Sequence, residues 1–416
     1  MSQPSQTTAA DPVTETPVKE TTEQPPLAGL KVIDISRVLA GPYCANLLGL
    51  LGAEVTKVEG PGGDEGRVWP PHQGDMGSSF LALNLNKRGI ALNLKKPEAV
   101  DVFKTLIRDA DVLVENFKTG EMDRFGLDWP TLQEINPRLV YTSISAFGRI
   151  GPKAKDAGYE ALVQAYSGAM AITGSAGGEP VRCGVSFLDM GTGVMSALGT
   201  MAALLRRGIT GKGGKVEASL LGTSMGLMAN AMSNYLQHGS QPERMGTAHP
   251  QLVPYQTYPT ADGMVFIATG NQGLWERLCN ALGREELIAD PRFINNQARV
   301  EHRTECVGAV SESLAKHPTD QLMKLLAEAR VPCSEVNDYD SLMADGQVDA
   351  LGVLISGTDA DYGEFRVPGL PFSISDYQPT TPASAPRIGE HTAEVLQELG
   401  YSGEQIDQLY SCGAVA

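Results

Sequence analysis

Several familiar signatures are missing from this chain of 416 residues. Its six cysteines (Cys44, Cys183, Cys279, Cys306, Cys333 and Cys412) form no CxxC pair. Its six histidines form no HxxxH or HExxH pattern, so no metal is expected. Scattered single thiols suit a reducing compartment, and a cytoplasmic protein is expected. The dinucleotide fingerprint GxGxxG is absent, because the glycines of Gly60-Pro61-Gly62-Gly63-Asp64-Glu65-Gly66 have the wrong spacing. A Walker A loop fails too, since Gly211-Lys212 continues into Gly213. Positive charge is short: 33 Lys and Arg against 49 Asp and Glu leave a net charge of −16. That balance argues against a nucleic-acid partner, while leaving room for a local basic pocket. No apolar run reads as long enough to span a bilayer, which takes about 20 residues, and no membrane association is expected.

The length and a hydrophobic share of 42 % suit two domains, or one with an elaboration. Residues 1–27 are polar, rich in Thr, Pro and Glu, and lack the basic start and apolar centre of a signal peptide. They are expected to form a disordered tail. Apolar runs predict strands at Leu30–Ser36, Glu54–Glu59, Gly89–Leu94, Asp111–Phe117 and Leu139–Ser145. Helical spacing predicts helices at Cys44–Leu51 and Ala99–Arg108. This alternation predicts an α/β fold, with a Rossmann-like large domain built on a mostly parallel sheet. The large domain is expected from 28–215 with 340–416, and a smaller α+β domain from 235–335.

One carboxylate stands out. Asp189 follows the apolar run Val185–Leu188 and precedes Gly191-Thr192-Gly193, after which a helix Val194–Leu205 is expected. A strand ending at an Asp before a helix aims the carboxylate at unpaired N–H groups, which favour its ionised form. Such a carboxylate can be a nucleophile, and backbone N–H groups near the glycines could stabilise an oxyanion. An ordinary N-cap is the competing explanation. Gly222-Thr223-Ser224-Met225-Gly226 matches GxSxG, with Asp345 and His391 following in hydrolase order. A glycine-rich chain meets that pattern easily by chance. His249 lies in a polar, aromatic loop with Gln251, Tyr255 and Gln256, a composition suited to a small polar acid.

The stretches LAGLKVIDISRVLAGPYCANLLGLLGAEVTKVE (27–59), Asn86-Lys87-Arg88, DVLVENF (111–117), QEINPRL (133–139) and GEHTAEVLQELGY (389–401) together resemble the class III CoA-transferases, the family of formyl-CoA transferase and carnitine CoA-transferase. The resemblance implies that Asp189 is the covalent nucleophile, passing through an aspartyl anhydride and an aspartyl-CoA thioester. It implies that Tyr159 hydrogen-bonds near the reacting carbonyl, and that Val38 and Leu39 line the pantetheine channel. It also implies that Lys95, Asn116, Phe117 and Arg124 hold the nucleotide end of coenzyme A. CoA thioester is then substrate rather than a bound cofactor, and an interlocked homodimer is expected. Two departures stand out. Gly60 replaces the arginine of formyl-CoA transferase, with Arg67 or Lys96 as possible substitutes, and the tetraglycine loop is absent. The look is that of relatives acting on dicarboxylates, with Arg37, His249 and Gln251 as expected acid-binding residues. The family's α-methylacyl-CoA racemases carry a histidine where Tyr159 stands, so an isomerase is the alternative to a transferase.

Overall fold

The computed structural model describes residues 24–74, 76–379 and 382–416. Most of the expected tail, residues 1–23, lies outside the described residues. The fold is already anchored at Leu27, whose amide donates to the Leu51 carbonyl at 3.0 Å.

Six strands form the central sheet: β1 (Lys31–Asp34), β2 (Glu54–Glu59), β3 (Lys87–Ala91), β4 (Val112–Glu115), β5 (Val140–Ser145) and β6 (Gly214–Ser219). Their order is β3-β2-β1-β4-β5-β6, and every pairing is parallel. That is the doubly wound order. Both faces of a parallel sheet are covered, which is why β4 is buried along its whole length and reads as an apolar run, Val112-Leu113-Val114, closed by Glu115. One face packs on α1 (Ala40–Leu50) and the other on α2 (Pro97–Arg108). The amphipathic helix α2 buries Ala99, Val102, Phe103, Leu106 and Ile107 against the sheet. Two later helices, Thr392–Glu398 and Gly403–Ser411, add Val395, Leu396, Ile406 and Leu409 to the same core. The antiparallel hairpin of Leu354–Asp359 and Gly363–Pro368 packs Phe365 and Val367 against Phe80 and Leu81.

A separate core lies farther along the chain. Strands β7 (Tyr255–Pro259), β8 (Met264–Ala268) and β9 (Cys333–Glu335) form an antiparallel sheet. Trp275, Leu278, Phe293, Val310, Leu322 and Leu326 fill the space between it and its helices. The fold is thus α/β with a parallel central sheet and small antiparallel sheets.

The segment around Asp189 differs from expectation. There is no strand at Val185–Leu188 and no turn at Gly191–Gly193: one helix, α4, runs unbroken from Phe187 to Thr210. Its glycines serve packing. A Cβ on Gly193 would come within 2.8 Å of the Ala40 carbonyl oxygen and 2.9 Å of the Tyr43 ring. Only a bare Cα lets α4 lie this close to α1. Joined up, α4 is long and apolar enough to cross a membrane by length and composition. Gly191 and Gly193 conceal that length in the sequence, because closely spaced glycines read as a turn. In this fold the helix packs between α1 and β6.

Candidate active site

The chain leaves the carboxyl ends of β1 and β4 in opposite directions, and a doubly wound sheet opens its crevice there. A cleft of about 510 Å³ occupies that place, lined by Arg37–Ala40 after β1, Asn116–Thr119 after β4, and Tyr159, Glu160 and Asp189 opposite. A second cavity of about 340 Å³ is lined by Gly60–Gly63, Leu92–Lys95 and Phe125. Both include Arg37, Phe117 and Glu121, so they form one continuous groove.

The first wall is built under strain. Val38 has φ +72°, a left-handed conformation costly for a β-branched residue. It is held there because its amide donates to both carboxylate oxygens of Asp64, at 3.1 and 3.2 Å. Lys57 pairs with Asp64 at 3.1 Å and donates to the Ser36 carbonyl at 3.0 Å. Lys87 pairs with Asp34 at 2.8 Å. All four side chains are fully buried. Burial opposes ionisation of Asp34, but Lys87 and Lys57 outweigh it and hold the carboxyl below its usual range. Asn116 donates its side-chain amide to the Arg37 carbonyl at 2.7 Å and accepts from the Arg37 amide at 2.8 Å. The Arg37 guanidinium lies over the Phe117 ring at 4.8 Å. Arg149 fixes the far side, with Nη2 at 2.9 and 3.1 Å from the two oxygens of Glu115.

Asp189 occupies the first turn of α4, where the helix dipole favours a negative charge. The dipole is nevertheless outweighed. Burial, with the neighbouring Glu160 carboxylate second, pushes the carboxyl up to about 7. The expectation of a fully ionised group therefore gives way to one that is half protonated near neutrality. Gly191 and Gly193 lie inside α4, where their own backbone amides are committed to the helix, so the unpaired N–H groups of this segment are those of its first turn.

The groove gathers Arg37, Val38, Leu39, Lys95, Asn116, Phe117, Tyr159 and Asp189. Tyr159 is 67 % exposed on the cleft wall. Arg124 ends the short helix Glu121–Arg124, exposed, and lines neither cavity. His249 and Gln251 are not brought to this cleft. They belong to the small antiparallel unit, where His249 Nδ1 accepts from the Gln251 amide at 3.0 Å and the ring stands 5.2 Å from Tyr255. Arg67 is no substitute for the missing arginine at Gly60. It is buried on the Phe80 ring at 4.0 Å, and its Nε donates to Glu59 at 2.8 Å.

The GxSxG reading fails on geometry. Ser224 lies fully buried within the helix α5 (Leu220–Leu227) and donates to Ser167 Oγ at 2.8 Å. His391 Nδ1 instead accepts from the Gly89 amide at 3.1 Å. Glu160 also faces the cleft, a residue that sequence motifs do not single out. Its i, i+4 partner Gln164, on a helix beginning beside Tyr159, was the available signal.

Residues 27–392 match the family described as CoA-transferase family III. The chain is 39 % identical over 386 residues to the succinate–glutarate CoA-transferase of Agrobacterium fabrum, covering 90 % of this chain and 96 % of that protein. It is 37 % identical over 393 residues to the human succinyl-CoA:glutarate CoA-transferase, covering 94 % and 90 %. The crystal structure of a CAIB/BAIF family protein from Brucella suis superposes with a TM-score of 0.81 at 38 % identity, covering 91 % of this chain and all of that one.

Proposed function

Because the chain belongs to CoA-transferase family III, we propose that Asp189 is the group on which it exchanges acids at a CoA thioester. The enzyme is a CoA-transferase, moving CoA from an acyl-CoA donor to a carboxylic acid. Small dicarboxylates are the preferred acids in this reading. Relatives at 37–39 % identity are named for succinate and glutarate, which supports it. The observation that carries the assignment is a partly buried carboxylate in the cleft at the switch point of the sheet.

In the proposed mechanism the Asp189 carboxylate attacks the thioester carbonyl, giving a mixed anhydride and CoA thiolate. The thiolate attacks the aspartyl carbonyl and releases the donor acid, leaving an aspartyl-CoA thioester. The acceptor acid then runs the two steps in reverse, so no ATP is spent. Tyr159, on the cleft wall, donates near the reacting carbonyl in this reading. Val38 and Leu39 line the path of the pantetheine arm toward Asp189, and Asn116 and Phe117 form its floor. Lys95, which lines the second cavity, holds the CoA phosphates in this reading, together with Arg124. Arg37 meets the second carboxylate of the acid.

The 28–215 and 340–416 segments serve in this reading as the CoA-binding and catalytic body, and 235–335 as the small domain. His249 and Gln251 contact the acid when a second copy brings its small domain over the cleft, in an interlocked homodimer. Exposed Val194, Met195, Leu198, Leu205 and Ile209 on α4 support such a pairing, because an apolar face of this extent calls for a partner. Six free cysteines suit the cytoplasm.

The deciding experiment is an acyl-exchange screen: succinyl-CoA against mono- and dicarboxylates, read by the mass of the new thioester. Incorporation of solvent deuterium at the α-carbon of a 2-methylacyl-CoA at the turnover rate would identify an isomerase instead.

A further inference from the structure

Glu160 opens α3 (Glu160–Ser167) and is 6 % exposed. A buried carboxylate is ordinarily paired with a cation or surrounded by donors. Glu160 has little of either. Its Oε1 accepts from Gln164 Nε2 at 2.6 Å and from the Leu188 amide at 3.4 Å. Its Oε2 is buried with no hydrogen-bond partner among the described residues. The Arg182 Nε stands off at 3.7 Å on a side chain that is half exposed. Gln164 also accepts from the Cys183 amide at 3.0 Å, so it ties Glu160 to the loop that leads into α4. The Leu188 contact ties the same carboxylate to the first turn of α4, one residue before Asp189.

We propose that Glu160 is a positioning residue that disfavours the free Asp189 carboxylate and thereby drives formation of the covalent enzyme. The proposal rests on Asp189 being the nucleophile. Two carboxylates sharing a buried site repel only while both are charged. In the first step a lone pair on Asp189 forms the O–C bond to the thioester carbonyl, and the C–S pair leaves as thiolate. The negative charge passes from residue 189 to sulfur. In the second, the thiolate forms a C–S bond to the aspartyl carbonyl and the C–O pair leaves on the donor acid. In both covalent states residue 189 is neutral and Glu160 has nothing to repel. The strain exists in the free enzyme and is released on acylation.

The raised carboxyl of Asp189, at about 7 from burial and then Glu160, agrees with this geometry. Other charged groups share the cleft: Arg37, Glu65, Lys118 and Glu121 on one wall, with Asp156 beside the neutral Tyr159 near α3. Arg149 is held by Glu115, and Lys153 by Asp156. Of all these groups, Glu160 alone adds to burial in raising Asp189.

The full chain is mixed with succinyl-CoA without acceptor, quenched in acid, and the fraction carrying CoA is read by intact mass and peptide mapping. Glu160→Gln is expected to lower the ratio of CoA-bound to free enzyme about tenfold and to move the ascending pH midpoint of kcat/KM below 7. Arg182→Met, which removes the nearby cation, is expected to change both in the opposite direction. A purely structural pair would lower the adduct in both variants and leave the midpoint in place, and that outcome overturns the proposal. So does an Asp189 adduct unchanged in both. A wild-type enzyme that acquires no adduct at Asp189 fails the nucleophile reading itself, which separates the two failures.

Discussion

Asn116 holds Arg37 by both of its main-chain polar groups, across the gap where β1 and β4 diverge. The bond pair fixes the turn that Val38 completes. Asn116→Ala removes two hydrogen bonds from the cleft wall and frees a strained segment. The Michaelis constant for the acyl-CoA is expected to rise about tenfold, with kcat changing less. Initial rates at varied acyl-CoA check this, and equal loss in both parameters would place Asn116 in the chemical step instead.

Activity should follow the ionisation of Asp189. Its carboxyl titrates at about 7 in the folded enzyme, and only the anion can attack. The kcat/KM for acyl-CoA is therefore expected to rise about tenfold per pH unit below 7 and to level off above it. Asp189→Asn should cost at least about 1,000-fold in kcat.

The same substitution should stabilise the protein, and the sign depends on pH. The folded value of about 7 lies above the ordinary 3.8 of the unfolded chain. Folding therefore opposes ionisation: the penalty is absent below the unfolded value, grows between the two, and is constant above 7. Asp189→Asn is expected to gain roughly 2–4 kcal/mol at pH 8 and no more than about 0.5 kcal/mol at pH 4. Denaturant melts at the two pH values measure the difference.

Gly193→Ala places a methyl against the Ala40 carbonyl and the Tyr43 ring. The main chain of α1 cannot retreat without moving the turn at Val38. A loss of about 1–3 kcal/mol in stability is expected, accompanied by weaker acyl-CoA binding. Gly208→Ala is the control on the same helix, because its Cβ would meet open space.

Arg37→Met distinguishes acid binding from CoA binding. The Michaelis constant for a dicarboxylate acceptor is expected to rise much more than for a monocarboxylate of equal length. Equal loss for both would assign Arg37 to the CoA groove, which its place in both cavities also allows.

The sheet was legible because buried parallel strands are written as short apolar runs. Glu54–Glu59 was bounded to the residue, and the strand after Arg138 nearly so. Val38, Leu39, Asn116 and Phe117 were legible only through the family resemblance, and all four follow the ends of β1 and β4. The helix start at Phe187 was not, since glycines that normally mark turns are here the contact surface of α4 with α1. The state of Asp189 was also hidden. Sequence places a carboxylate near a helix terminus, but its neighbour Glu160 comes from another helix, 29 positions earlier in the chain. Arg67 failed as a phosphate ligand for a similar reason: Phe80 and Glu59 claim it through contacts no spacing reveals.

The helices that bring Ile406 and Leu409 back to Phe103 and Ile107 have a consequence for how the protein is made. On the ribosome, α2 and the first strands emerge long before the segment that covers them. The small antiparallel unit, whose core is drawn from one continuous stretch, can close in the meantime. The large core must wait with apolar surface open. Contacts of such separation slow folding and leave a window for aggregation, so chaperone demand should fall on the large body rather than the small one.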